Sequence, residues 1–211
     1  MKRILYLLLL LLFCLSACRD DDSEHYPSII TEMVIAQADG QGQLSTIICD
    51  RGQTYKVSNG IAGLKANERV RALVGYVIQE DGRVQVYTAQ VVPVLSDASE
   101  EEKLAQDPTG IESVWQGGGF LNFHFLPKTR GGQQGWAFLR DSIHANILGG
   151  TNYYLSLYHD QMEDVEAYSA HFYACVSQDS IASSFTATDS VVFAVCTYDG
   201  IQIWRFGELT R

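Results

Sequence analysis

The chain is short of every arrangement that would name a chemistry. It has no Cys-x-x-Cys pair, no His-Glu-x-x-His pair, no Gly-x-Ser-x-Gly elbow and no Gly-Lys-Ser/Thr phosphate loop. Zinc ribbons, thioredoxin-type redox chemistry, zinc-protease helices, elbow-type serine hydrolases and Walker nucleotide sites therefore find no support. Basic residues are scarce too, with 15 Lys and Arg against 25 Asp and Glu for a net charge of −10. Nucleic-acid affinity rests on cations displacing counterions, so no nucleic-acid partner is expected. No long apolar run follows residue 15, and a helical period is nearly absent.

What is present begins with LLFCLSACRDDDSEHY, residues 11–26. Lys2 and Arg3 precede an apolar run over 4–15, too short to cross a bilayer, which takes ~20 residues. Residues 1–17 thus read as a secretory leader. A simple cut after Ala17 would leave bulky Leu15 where a small residue is wanted. Leu15-Ser16-Ala17-Cys18 instead resembles the bacterial lipobox, whose cysteine is acylated, so Cys18 is the expected lipidation site. More than one fatty chain, palmitoyl among them, gives stable anchoring at ~0.8 kcal/mol per buried CH₂. Losing Lys2 and Arg3 takes the net charge from −10 to −12. The charged run over 18–26 is too polar to pack and reads as a solvated tether. It is either a plain spacer or, as an acidic patch after the lipidated cysteine, similar to the surface-export signal of Bacteroidetes lipoproteins. The second reading places the protein in the outer membrane, facing outward.

Period-two alternation fills the rest, so the fold class is all-β. Residues 29–37, 44–49, 53–57, 69–79 and 83–94 read as five strands. In the fourth, Val70, Ala72, Val74, Tyr76 and Ile78 share one face, with Arg69, Arg71 and Gln79 on the other. Asp39-Gly40, Asp50-Arg51-Gly52 and Asp81-Gly82 punctuate them as hairpin turns. Five short strands in about 70 residues suit a five-stranded OB-like barrel, assigned to 27–95. An acidic stretch, 96–108, breaks the pattern with a helical turn or two at 100–106 and ends at Pro108; it reads as a linker. Residues 109–211 return to alternation with about seven strands in roughly 100 residues, the spacing of an immunoglobulin-like β-sandwich.

Ile-x-x-x-Trp-x-Gly-Gly-Gly-aromatic-Leu-Asn, from Ile111 to Asn122, resembles a stretch of the NigD-like lipoproteins of Bacteroidetes, named from a bacteriocin-associated gene neighbourhood. NYYLSLYHD at 152–160 resembles that family's later YLxLRHN strand, with Tyr158 replacing arginine and Asp160 replacing asparagine. The resemblance implies an N-terminal OB-like domain and a C-terminal β-sandwich. It implies no established activity.

Individual residues add little chemistry. Gly117-Gly118-Gly119 and Gly149-Gly150 read as turns or bulges beside strands. Of His25, His124, His144, His159 and His171, no two lie within four residues, so no metal is expected. Asp160, Glu163, Asp164 and Glu166 could hold calcium, but their spacing is not that of an EF-hand and a solvated loop is favoured. Cys49 lacks a neighbour that would make it a nucleophile, and no catalytic residue or cofactor is expected. Cys175 and Cys196 both fall in strand patterns and could pair in an oxidising compartment. The favoured alternative leaves Cys49, Cys175 and Cys196 as small buried hydrophobes. Trp115 and Phe123 read as core. Trp136, Tyr154, Tyr158 and Trp204 sit beside polar residues and are candidate binding aromatics, with core packing as the competing role.

These features favour a non-catalytic, membrane-anchored binding module with a glycan or protein ligand at the cell surface. An accessory or self-protection role beside a bacteriocin is the alternative. An enzyme acting on surface polymers comes third and would need two carboxylates facing each other across a cleft.

Overall fold

A computed structural model describes residues 28–98 and 105–207. Cys18, His25, the acidic tether and most of the stretch expected to be helical lie outside them. Strands β1 (Ile30–Ala38), β2 (Gln43–Cys49), β3 (Thr54–Ala62), β4 (Arg69–Ile78) and β5 (Val84–Val91) close into a barrel in the order β1-β2-β3-β5-β4, with β1 returning to β4. Alternation sends Val34, Ala36, Ala72, Val74 and Tyr76 inward to one core. The first hairpin closes where expected: Asp39 Oδ1 accepts from the Gln41 and Gln43 amides at 2.8 and 2.9 Å.

The barrel closes on side chains as much as on backbone. Between β3 and β5 only Val57 and Val84 pair in register. Asn59 supplies the missing ladder, its Nδ2 donating to Val86 O at 2.7 Å and its Oδ1 accepting from Val86 N at 3.0 Å. Ser58 Oγ adds a bond to Val84 O at 3.1 Å. A side-chain amide carries the same donor and acceptor as a peptide group, so it can stand in for one. β3 runs on through Ala62, past the polar Ser-Asn-Gly where the sequence pattern ends, because its last residues pair with β2, Ile61 with Leu44 and Ala62 with Gln43.

The second half holds β6 (Gly110–Gly117), β7 (Phe120–Leu126), β8 (Lys128–Thr129), β9 (Gly135–Ala145), β10 (Thr151–Asp160), β11 (Tyr168–Ser169), β12 (Phe172–Ser177), a short helix α1 (Gln178–Ile181), β13 (Ser190–Thr197) and β14 (Gly200–Phe206). A sheet ordered β14-β13-β10-β9 faces one ordered β12-β7-β6, and β8 pairs with β11. These two-residue strands account for the surplus over the expected seven. Phe123, Phe125, Phe138, Leu155, Val176 and Phe193 fill the space between the sheets. Phe123 is therefore core, as expected.

The barrel's last strand leads directly onto the sandwich. Leu95 N donates to Cys175 O at 2.7 Å and Ala98 N to Phe138 O at 2.8 Å, while the Leu95 side chain joins the sandwich core. On the far side of the undescribed residues, Asp107 N donates to His159 O at 2.9 Å. The stretch expected to be a linker, 96–108, is thus bonded to the sandwich at both of its described ends.

Candidate functional site

Strand alternation decides what the β12-β7-β6 sheet shows to the barrel. Val114, Leu121, Phe123, Phe125, Ala174 and Val176 point into the sandwich core, so Trp115, Asn122, His124, Tyr173 and Cys175 point the other way. Trp115 pairs with Asn122 and Asn122 with Cys175, which makes one row across the outer face; Ser113, His124 and Tyr173 make the next. The first row is covered by the barrel. Met33 and Val92 pack with Cys175 in a small cluster of their own, with Leu73, Trp115, Phe120 and Tyr173 at its margin.

A charge lies at the centre of this seam. Arg71 stands on the outer face of β4, as the alternation predicts, but the sandwich covers that face and the residue is only 2% exposed. Its guanidinium forks onto Asp50, Nη1 to Oδ1 at 2.5 Å and Nη2 to Oδ2 at 2.7 Å. Nη2 also donates to Asn122 Oδ1 at 2.9 Å, and the Phe120 ring lies 4.7 Å from the guanidinium carbon. Asn122 is wholly buried and returns Nδ2 to the Trp115 carbonyl at 3.5 Å. The β6–β7 turn closes over this pair. A Cβ at Gly117 would lie 2.5 Å from Asp50 Oδ2, and Gly118, at φ +61°, approaches the same carboxylate more closely still. Only glycine allows backbone so near a side chain and so readily adopts that φ. The glycine triplet is a turn, as its sequence suggested, and its smallness serves the buried ion pair.

Where the barrel stops covering the sheet a cleft of about 580 Å³ opens. Its floor is Ser113, His124 and Tyr173 with Trp115 beside them; its barrel wall is Thr31 and Glu32 on β1 and Asp50-Arg51 at the β2–β3 turn. His124 stacks on Tyr173 at 4.1 Å and its Nε2 lies 2.8 Å from Nδ1 of His171. Burial holds the His124 pKa below the ordinary value, the neighbouring His171 pushes it the same way, and Glu112 opposes them. Two carboxylates line this cleft, the arrangement an enzyme of the third reading would require. Both are already engaged: each Asp50 oxygen accepts from Arg71, and Glu32 Oε1 accepts from Tyr76 Oη at 2.6 Å.

The residues singled out from sequence do not gather here. Trp136 stacks on His159 at 4.1 Å and packs on Phe125 and Phe172 at the edge of the sandwich core. Trp204 packs against that core as well, and Tyr158, 6% exposed, joins Ala98, Ala137 and Leu139. Tyr154 meets His144 edge-on at 5.6 Å. The four candidate binding aromatics thus form no common surface, whereas Trp115, read as core, is half-buried at the cleft. Cys175 and Cys196 are free thiols, and the pairing considered above is not formed. Their strand neighbours Val176 and Val195 point into the core, so the two cysteines face outward from opposite sheets. Burial pushes Cys175 up to about 12 and Cys49 up to about 11, so neither is a nucleophile near neutrality.

The acidic loop after β10 is also spoken for. Asp164 accepts from the Thr129 hydroxyl, the Arg130 and Gly132 amides and Gln134 Nε2. Those donors hold its pKa at about 2, and the carboxylate organises the β8–β9 turn. His159, 1% exposed, has Nδ1 3.0 Å from the Asp107 carbonyl and Nε2 3.0 Å from Gln134 Oε1. Among the described residues no three His, Cys, Asp or Glu side chains are grouped to hold a metal ion.

Known proteins share this architecture. No curated protein matches the chain. Among solved structures, a NigD-like immunity protein from Bacteroides caccae is 26% identical, with a TM-score of 0.66 over 87% of this chain and 94% of that one. A protein described as toxin-related from Parabacteroides distasonis is 17% identical, with a TM-score of 0.70 over 86% and 94%. A protein from Bacteroides vulgatus, of unknown function, is 15% identical, with a TM-score of 0.65 over 86% and 91%. The profile of the NigD-like C-terminal beta sandwich domain matches residues 90–205, more than half of the sequence and all of the stretch from Ile111 to Asn122. The chain belongs to the NigD-like family.

Proposed function

We propose that this protein is a non-catalytic binding module held to the outer membrane by acyl chains on Cys18, facing outward, with its ligand site in the cleft between barrel and sandwich. The cleft is the observation that carries the reading. Its size is that of a small-molecule site, and such sites favour junctions between domains. Its carboxylates are held by Arg71 and Tyr76, which suits recognition better than proton transfer. The lipobox and acidic tether support the location. Wild-type cells fed radiolabelled palmitate should incorporate label into the protein, and Cys18→Ser should abolish it and release the protein from the membrane fraction. An unlabelled wild type, or a serine form that stays membrane-bound, contradicts the anchor.

The Bacteroides caccae neighbour favours a second reading, in which the bound ligand is a bacteriocin and the module protects the cell that makes it. Deleting the gene should then sensitise the producer to its own toxin, and a deletion strain with unchanged sensitivity rejects it.

A further inference from the structure

We infer that the cleft accommodates a neutral oligosaccharide, one sugar ring lying against Trp115 while its hydroxyls reach Glu32 and Asp50. This rests on the cleft being the ligand site. Charge narrows the ligand first. Glu32, Asp50 and Arg51 line the cleft, and Arg71 behind Asp50 cancels that carboxylate, so the lining has no net formal charge on a chain of net charge −10. With no surplus cation in the lining and an acidic molecule around it, the cleft offers an anionic ligand such as a phosphate ester or an acidic glycan nothing to hold it.

Hydrogen-bonding capacity narrows it further. Asp50 spends one lone pair of each oxygen on Arg71, and Glu32 spends one on Tyr76. A carboxylate has about four acceptor sites, so half-buried Glu32 keeps acceptors for incoming O–H donors, and Asp50 keeps those at the edge that the Gly117-Gly118 turn leaves open. A carbohydrate supplies many such donors on a rigid ring. The acceptors are already fixed in place by a guanidinium and a phenol, so binding orders few protein groups.

The floor supplies the third constraint. Trp115 lines the cleft beside the His124 and Tyr173 rings, which stack face to face at 4.1 Å, so the floor is aromatic and low in conformational freedom. A pyranose has an apolar C–H face that fits such a ring while its equatorial hydroxyls point sideways to the carboxylates. A protein ligand would ask for a broader apolar area than this recess provides.

The test uses the full chain purified in detergent. It is titrated with an array of neutral hexose, pentose and N-acetylhexosamine oligosaccharides, with oligogalacturonate as the anionic counterpart and with Lys-rich peptides. Saturable binding of a neutral oligosaccharide is expected, with no binding of oligogalacturonate. Trp115→Ala should weaken it by about tenfold or more. Because Trp115 also packs at the seam, Ser113→Arg is the second variant: Ser113 is exposed, so arginine there fills the cleft without disturbing the fold. It should abolish binding at an unchanged melting temperature. Binding of the peptides alone, lost in Ser113→Arg, keeps the cleft as the site and overturns the sugar. Binding that ignores Ser113→Arg, or no binding of any probe, overturns both.

Discussion

Arg71 sets the physics of the seam because a guanidinium cannot shed its charge. Buried without Asp50 it would be prohibitively costly; with Asp50 and Asn122 it is a directional joint between two modules. Removing one partner should therefore hurt more than removing both. Arg71→Met should cost about 2–3 kcal/mol in urea unfolding, softened from the fully buried case because Asp50 is partly exposed, and Arg71→Met with Asp50→Leu should recover part of it. A single substitution as mild as the double one would show the pair to be weak. His124 gives the seam a pH signature. Its folded pKa lies below the ordinary histidine value, so the folded state prefers the neutral ring. Its stabilising contribution is complete above that ordinary value and is lost as pH falls from there through the folded pKa. The melting temperature should fall on going from pH 7.5 to pH 5, and less so in His124→Gln. Neither residue's role was legible from its neighbours in sequence. Alternation placed Arg71 correctly on the outer face of β4, but which surface would cover that face depends on a sandwich beginning tens of residues later. Trp115, read as core, packs on the small seam cluster and also borders the cleft, a double position that its strand alone does not reveal because an aromatic suits both.

At the scale of elements, alternation carried most of the fold. It located β4 nearly to the residue and identified β7, β10 and β13 by their inward aromatics and aliphatics. It stopped short at β3 because Asn59 looks like a breaker and acts as a ladder rung. Asn59→Leu keeps the side chain's approximate volume while removing both bonds to Val86, which leaves a backbone amide and carbonyl unpaired near the barrel closure. The expected loss is about 2 kcal/mol, with faster amide exchange at Val86. Unchanged exchange there would mean that the β3–β5 contact closes without Asn59. The acidic loop was legible as an acid cluster but not as a cage, since Thr129, Arg130, Gly132 and Gln134 come from a turn more than 25 residues earlier.

At the scale of the molecule, the glycine-rich stretch, the most recognisable run in the sequence, is a joint. Trp115, Gly117, Gly118, Phe120 and Asn122 all meet Asp50, Arg71 or the small cluster between barrel and sandwich. A ligand site formed between two modules keeps its shape only if the modules hold together, so the binding reading and the joint stand on the same contacts. Trp136 and Trp204 pack on the sandwich core, so in a Trp115→Phe background, which removes the third tryptophan from the seam, emission follows that module alone. Unfolding in urea is therefore best monitored by tryptophan emission for the sandwich and by amide exchange of β1–β5 for the barrel. The seam predicts one shared midpoint in that background, and with Arg71→Met added a split in which the barrel opens at lower urea. Separate midpoints without Arg71→Met, or a shared and unshifted midpoint with it, would contradict it.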